Sequence, residues 1–154
     1  MKFSILAFLL LISCNNSFAQ KKKPSKKQAI PQGICGTVLW KEGNLMPSPD
    51  RPMPQGTPVV REIFIYQLTN QAQVTMIDDV FYKDLKTKLV KSIKSDKSGK
   101  FCIALPTGTY SIFSKEEKGL FANSFDGEMN IFPVEVKAKQ QIKISFDINY
   151  KAVY

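Results

Sequence analysis

The feature that most constrains the fold is a strict alternation of apolar and polar residues near the end of the chain. In residues 141–150, QIKISFDINY, every second position is apolar: Ile142, Ile144, Phe146, Ile148 and Tyr150. Successive side chains of a β-strand point to opposite faces, so this pattern buries one face and exposes the other. A helix would distribute the same residues around its axis, and the segment therefore predicts a half-buried strand.

Further strand patterns recur along the chain between glycine- and proline-rich turns. They cover GICGTVLW (33–40), VVREIFIYQL (59–68), TKLVKSIKSD (87–96), KFCIAL (100–105), TYSIF (109–113) and FPVEVKA (132–138). Residues 59–68 are apolar on both faces and predict a central strand, whereas Val134 and Val136 predict one buried face. About seven short strands with regular turn signals predict an all-β protein, a single seven-stranded β-sandwich.

One segment allows a different reading. Residues 78–89, DDVFYKDLKTKL, could form a short helix with Val80, Phe81, Leu85 and Leu89 on one side, or they could be irregular.

The segment GKFCIALPTGTYSIF, residues 99–113, predicts a hairpin. Gly99 and Gly108 permit turn dihedral angles that a side chain resists, and Pro106 ends a strand because it has no N–H for the ladder. We expect the core to include Phe101, Ile103, Leu105, Tyr110 and Ile112.

The net charge of +9 is concentrated at the N-terminus. Six of the 22 basic residues lie there, which leaves 16 basic against 13 acidic residues, or +3, and the six are Lys2, Lys21, Lys22, Lys23, Lys26 and Lys27. The 154 residues suffice for one domain, and its mild charge does not predict a nucleic-acid partner.

The N-terminus predicts an exported protein. After Met1 and Lys2 comes an apolar run too short to span a bilayer and typical of a signal peptide, residues 1–19. Small residues at Ser17 and Ala19 favour cleavage before Gln20, whereas Leu-Ile-Ser-Cys at 11–14 resembles a lipobox that would lipidate Cys14. Either route places the chain in the periplasm or at the outer membrane of a Gram-negative bacterium.

Two segments predict little regular structure. Residues 20–32, QKKKPSKKQAIPQ, are polar and broken by prolines, which predicts a flexible linker ahead of a domain at 33–154. The linker is either a solvated spacer or an additional attraction to an anionic membrane, the only membrane contact expected besides a lipid on Cys14. Residues 41–58 hold five prolines and predict a long irregular connection.

The chain has no histidine, which excludes serine–histidine and cysteine–histidine catalysis and every histidine-ligated metal site. No acid and base pair is marked either, so we expect a non-enzyme with no catalytic residues and no cofactor.

Two candidate binding features remain. Residues 116–130 collect oxygen donors that could hold calcium, namely Glu116, Glu117, Asn123, Asp126, Glu128 and Asn130, but Asp126-Gly127 is also a common turn pair, and we expect the turn rather than a metal. Trp40, the single tryptophan, could stack on a sugar as a ligand contact or cover the edge of the core.

The order of these motifs resembles the carboxypeptidase regulatory-like domain family. The matching residues are Gly36, Val38, Gly99, Phe101, Ile103, Leu105, Pro106, Gly108 and Tyr110. The resemblance covers about residues 33–113 and implies a transthyretin-like sandwich that acts as an accessory or binding module. It carries over no catalytic residue.

The resemblance also bears on the cysteines. Export removes Cys14 from the thiol count by cleavage or lipidation, which leaves Cys35 and Cys102 in an oxidising compartment. In the transthyretin-like fold their two strands are antiparallel neighbours, which predicts a Cys35–Cys102 disulfide. The functional hypothesis is an exported, non-catalytic cell-envelope module with a binding or structural role and an envelope protein or glycan as partner. The alternative is a carbohydrate-binding module of starch-binding-like fold.

Overall fold

A computed structural model describes residues 30–47 and 54–154. This part of the chain forms eleven strands and one 3-10 turn at Gln71–Gln73. The strands are β1 Gly33–Asn44, β2 Thr57–Pro58, β3 Glu62–Gln67, β4 Thr75–Asp78, β5 Phe81–Lys83, β6 Leu89–Lys94, β7 Lys100–Ala104, β8 Gly108–Glu116, β9 Gly119–Phe121, β10 Pro133–Val136 and β11 Gln141–Val153. The predicted signal peptide, Cys14 and residues 20–29 of the linker lie outside the described residues. No helix in the described ranges has the length and hydropathy needed to cross a bilayer.

The strands form two sheets, which confirms the predicted all-β sandwich. In the four-stranded sheet β1 is central, with β11 parallel on one side and β2 and β7 antiparallel on the other. The seven-stranded sheet has the order β4-β5-β9-β8-β3-β6, and β10 also pairs with β8. The strands exceed the predicted seven because β2, β4, β5 and β9 have only two to four residues, too few for an alternation to be recognised.

The main core lies between the two sheets and follows the predicted alternation. All five core candidates of residues 99–113 are buried, and so are Val134 and Val136. In β11 the alternation places Phe146 and Ile148 in the core, with Ile142, Ile144 and Tyr150 partly buried beside them. They meet Ile63 and Ile65 of β3 from the facing sheet, and this burial is the dominant stabilising contribution.

A second, smaller cluster covers the outer face of the seven-stranded sheet. It consists of Tyr82, Phe113, Ala122 and Ile131, with Phe64 and Tyr66 of β3 packed against it. Because β3 contributes Ile63 and Ile65 to one cluster and Phe64 and Tyr66 to the other, it is apolar on both faces, as the prediction of a central strand at 59–68 requires.

The helical reading of residues 78–89 is wrong. The segment contains the end of β4, the turn at Asp79 and Val80, and β5, and it reaches β6 at Leu89. Phe81 and Tyr82 are adjacent and both buried, one in each cluster, which a strand between two apolar layers permits. The pairing of β5 with β4 and β9 therefore overrides the weak helical spacing.

The predicted irregular connection begins later than expected. Strand β1 continues to Asn44 because β11 pairs with it along its whole length, with a register shift between Trp40 and Glu42.

At the boundary between the predicted linker and the domain, the side chain of Gln32 donates to the carbonyl of Leu105 at 2.9 Å and accepts from the amide of Lys139 at 2.9 Å. Gln141 also donates to the carbonyl of Ile30 at 3.3 Å, so the end of the predicted linker contacts the domain.

The hairpin predicted at residues 99–113 is wrong, because β7 pairs with β1 in the four-stranded sheet whereas β8 pairs with β3, β9 and β10 in the seven-stranded sheet. Pro106 and Gly108 therefore lie where the chain crosses between the sheets, since local alternation defines the faces of a strand but not its partner. The glycine conformations and the cross-link are as predicted. Gly99 has φ +70° and Gly108 φ +150°, conformations that favour glycine. Cys35 of β1 is in register with Cys102 of β7, and the predicted disulfide joins them on the face opposite the core.

Candidate functional site

An open cleft of about 560 Å³ lies at one end of the sandwich, where side chains of both sheets meet. Its walls are formed by Trp40, Arg61, Lys115, Glu116, Glu117, Tyr150 and Lys151. The volume falls in the range of about 300–1,000 Å³ that is typical of ligand sites.

The alternation of the core strands sends these side chains into the cleft. Trp40 lies two residues beyond buried Val38, and Tyr150 two residues beyond buried Ile148. From the facing sheet, Glu116 continues the inward series of Ile112 and Ser114, which are both buried. The cleft is therefore the place where the inter-sheet core gives way to polar residues.

Glu116 is the best-held polar group of the cleft. Its side chain is 3% exposed and forms an ion pair with Arg61, whose Nε lies 3.1 Å from Oε1 and 3.3 Å from Oε2. The hydroxyls of Ser114 and Tyr150 donate to the same carboxylate at 3.1 and 3.2 Å. Because the carboxylate accepts from three side chains, Glu116 orients Arg61 and Tyr150.

Trp40 is half-buried and covers the edge of the core, which is one of the two roles considered for it. It packs against the inter-sheet core and meets Tyr150 edge to face, with ring centroids 5.2 Å apart. Arg61 and Lys151 place their cationic groups 5.7 and 5.6 Å from the indole centroid, within the range of cation–π attraction. The indole is thus surrounded by cations rather than part of a continuous exposed aromatic strip.

The environment of the cleft raises the pKa of the Tyr150 hydroxyl. Burial is the main cause that raises the pKa of Tyr150, and the negative charge of Glu116 and the hydrogen bond to it raise that pKa further. Tyr150 therefore stays a neutral donor across the physiological range.

The oxygen donors considered for calcium do not converge. Asp126 accepts from the amides of Glu128 and Asn130 and from the Asn130 side chain, each at 2.9 Å, so it closes its own turn. Asn123 instead donates to Asn149 at 2.6 Å, and Glu116 belongs to the cleft. Among the described residues, no group of three or more acidic or cysteine side chains is placed to hold a metal ion.

The sequence reading missed Arg61 and the role of Glu116. The two residues are 55 positions apart and meet only because β3 pairs with β8. A signal was nevertheless present: extending the alternation of residues 109–113 by three positions places Ser114 and Glu116 on the core face, where a carboxylate requires a cationic partner.

Comparisons with family models, with curated proteins and with solved structures found no match to this chain. The resemblance to the carboxypeptidase regulatory-like domain family therefore stays a hypothesis based on the sequence motif.

Proposed function

We propose that the chain is an exported, non-catalytic module of the cell envelope that holds a partner protein in the cleft beside Trp40. The observation that carries the proposal is the state of Glu116. Its oxygens already accept from Arg61, Ser114 and Tyr150, so the carboxylate acts as an internal anchor rather than as an acid or base that attacks a substrate.

The basic side chains of the cleft suit recognition of acidic or polar side chains of a partner. Lys115 and Lys151 are exposed, and Glu116 holds the guanidinium of Arg61 that lies over the indole ring of Trp40. Aromatic residues and arginine are the groups that most often dominate the energetics of protein interfaces. Because cations already lie beside the indole of Trp40, the arrangement favours a protein partner over a stacked sugar ring.

A photo-crosslinking amino acid placed at position 151 in the full chain tests the protein partner in living cells. The matched control is position 137, an exposed lysine just beyond β10, at the end of the sandwich where β11 begins. We expect a discrete adduct from position 151 and none from 137. Equal labelling from both positions would contradict a specific cleft.

The carbohydrate-binding alternative has its own readout, because Trp40 is the only tryptophan and its fluorescence reports on the cleft. Titration with purified envelope polysaccharide and peptidoglycan fragments should leave the emission unchanged. A saturable change that Trp40→Phe abolishes would establish glycan binding in place of the protein partner.

Two further measurements test export and the absence of catalysis. The intact mass of the envelope form should correspond to a chain that begins near Gln20, or at Cys14 with a diacylglycerol adduct. A retained leader would contradict export. Turnover of a substrate that is lost on Glu116→Gln would contradict a non-catalytic role.

A further inference from the structure

A second groove, of about 580 Å³, crosses the outer face of the seven-stranded sheet. It shares Lys115, Glu116 and Glu117 with the Trp40 cleft but has in addition a large aromatic and aliphatic part. Residues of five strands, β3, β4, β5, β8 and β9, and of the segments after β5 and β8 line it. The apolar and aromatic lining residues are Phe64, Tyr66, Ile77, Tyr82, Leu85 and Leu120, and the charged ones are Lys83, Asp84, Lys115, Glu116, Glu117 and Lys118. The volume falls in the range of small-molecule sites, and the aromatic and aliphatic part of the lining can contact an apolar ligand.

Among the polar groups of the lining, the hydroxyl of Tyr82 has a distinct environment. Tyr82 is wholly buried, and its hydroxyl has no hydrogen-bond partner within residues 30–47 and 54–154. Buried polar side chains are nearly always paired, and leaving one unpaired costs free energy. By contrast, Tyr110 donates to the carbonyl of Pro106 at 3.1 Å and Tyr150 to Glu116 at 3.2 Å.

Packing does not account for the Tyr82 hydroxyl. The ring is held by the cluster on the outer face and lies edge to face with Phe113, at a centroid distance of 5.8 Å. A phenylalanine would make the same ring contacts without burying an unpaired hydroxyl. The hydroxyl is therefore a group that folding alone does not require.

We propose that this groove binds a small, flat, apolar molecule whose one carbonyl oxygen accepts a hydrogen bond from Tyr82. The aromatic side chains that line the groove favour a flat, apolar ligand. The unpaired hydroxyl of Tyr82 requires that this ligand carry a hydrogen-bond acceptor. Because the hydroxyl is out of reach of solvent, the ligand oxygen enters by displacing half-buried side chains of the lining. Phe64, Leu85 and Leu120 line the groove and pack on the same cluster, and they remain partly exposed, so they can move.

A matched pair of probes tests the proposal on the full chain. The first is 2-acetylnaphthalene, which has a carbonyl oxygen, and the second is 2-ethylnaphthalene, which has the same shape without an acceptor. We expect both to bind in calorimetry and to shift the ring resonances of Tyr82 and Tyr66. Tyr82→Phe should weaken the acetyl probe by about 5–10-fold, the usual effect of one neutral hydrogen bond, and leave the ethyl probe unchanged.

Two surface variants supply the control for location. Ile77 on edge strand β4 is 43% exposed and lines the groove, whereas Leu89 on edge strand β6 is 41% exposed and does not. Ile77→Arg should abolish the binding of both probes, and Leu89→Arg should retain it. The proposal is overturned if neither probe binds, if Tyr82→Phe affects both probes equally, or if Leu89→Arg weakens binding as much as Ile77→Arg.

Discussion

Cys35 on β1 and Cys102 on β7 are directly opposed, with Cα atoms 4.0 Å apart, and a disulfide joins them across the two strands. The bond spans 67 residues of the chain, including β2 to β6. It fixes β1, the central strand of the four-stranded sheet and the one next to the predicted linker, to its antiparallel neighbour β7. The bond therefore has a clear expected effect on stability.

We expect the double variant Cys35→Ala/Cys102→Ala to have a free energy of unfolding lower by about 4 kcal/mol, the value of the chain-entropy model for a loop of this length. Urea unfolding followed by circular dichroism measures it. A reductant should destabilise the wild type by a similar amount and leave the double variant unaffected. An unfolding midpoint of the wild type that does not respond to reductant would contradict the role of the bond.

The hydrogen bond from Tyr150 to Glu116 should contribute more to stability than that from Tyr110 to Pro106. The first acceptor is a buried carboxylate and the second a neutral carbonyl. Tyr150→Phe should lower the free energy of unfolding by about 1.5–3 kcal/mol and Tyr110→Phe by about 0.5–1.5 kcal/mol. Equal losses in urea unfolding would show that the charge of Glu116 does not strengthen the bond.

The ion pair of Glu116 and Arg61 should likewise contribute more to the free energy of unfolding than an exposed ion pair does. The side chain of Glu116 is 3% exposed and that of Arg61 32%, whereas Lys118 and Asp78 pair at 2.9 Å with side chains 62% and 55% exposed. Glu116→Gln should cost about 1–3 kcal/mol, because Arg61 and the two hydroxyls lose their charged acceptor. Asp78→Asn should cost less than about 1 kcal/mol. Similar values for the two variants in thermal unfolding would contradict this ranking.

Removal of the Tyr82 hydroxyl should stabilise the unliganded fold. Tyr82→Phe keeps the ring contacts and eliminates an unpaired buried hydroxyl, so we expect a gain of about 1 kcal/mol in the free energy of unfolding near neutral pH. A loss greater than about 1 kcal/mol would mean that the hydroxyl has a partner in the free protein.

The same variant tests the pH dependence of stability. Burial, followed by the charge of Asp79, raises the pKa of Tyr82 to about 12. The folded pKa lies above the ordinary value of about 10, so the folded state retains the proton more strongly than the unfolded state. The stability that the folded state gains from this stronger proton binding is complete below about pH 10 and is lost as the pH rises towards 12. Tyr82→Phe should therefore lose less stability than the wild type between these values in urea unfolding, and parallel curves would contradict the raised pKa.

Gly99, in the turn before β7, should not tolerate a side chain. A Cβ atom on Gly99, with φ +70°, would lie 2.5 Å from the carbonyl oxygen of Val38. Gly99→Ala should destabilise the fold by at least the ~1–2 kcal/mol of the left-handed conformation. Gly127→Ala is the matched control, because a Cβ atom there meets nothing within 4 Å, and it should be close to neutral. Equal unfolding midpoints for the two variants would show that the turn can rearrange.

Local alternation was enough to predict which side chains of the longer strands face the core. Phe101, Ile103, Val134, Val136, Phe146 and Ile148 are buried as their spacing of two predicted. This succeeds because a strand needs only its own residues to define two faces. Cysteine counting, together with the strand order implied by the family resemblance, was likewise enough to predict the disulfide.

The features that required the tertiary structure are those that depend on pairing between distant segments. Residues 78–89 carry a weak helical spacing, and only the neighbouring strands β4 and β9 make them a hairpin. The Arg61–Glu116 pair forms across 55 residues, and the groove at Tyr82 depends on the register of β5 beside β9. The sequence by itself determined an all-β chain with identifiable strand faces, because side-chain periodicity is local. The tertiary structure decided where polar residues converge, because strand register brings together positions that have no local relation in the sequence.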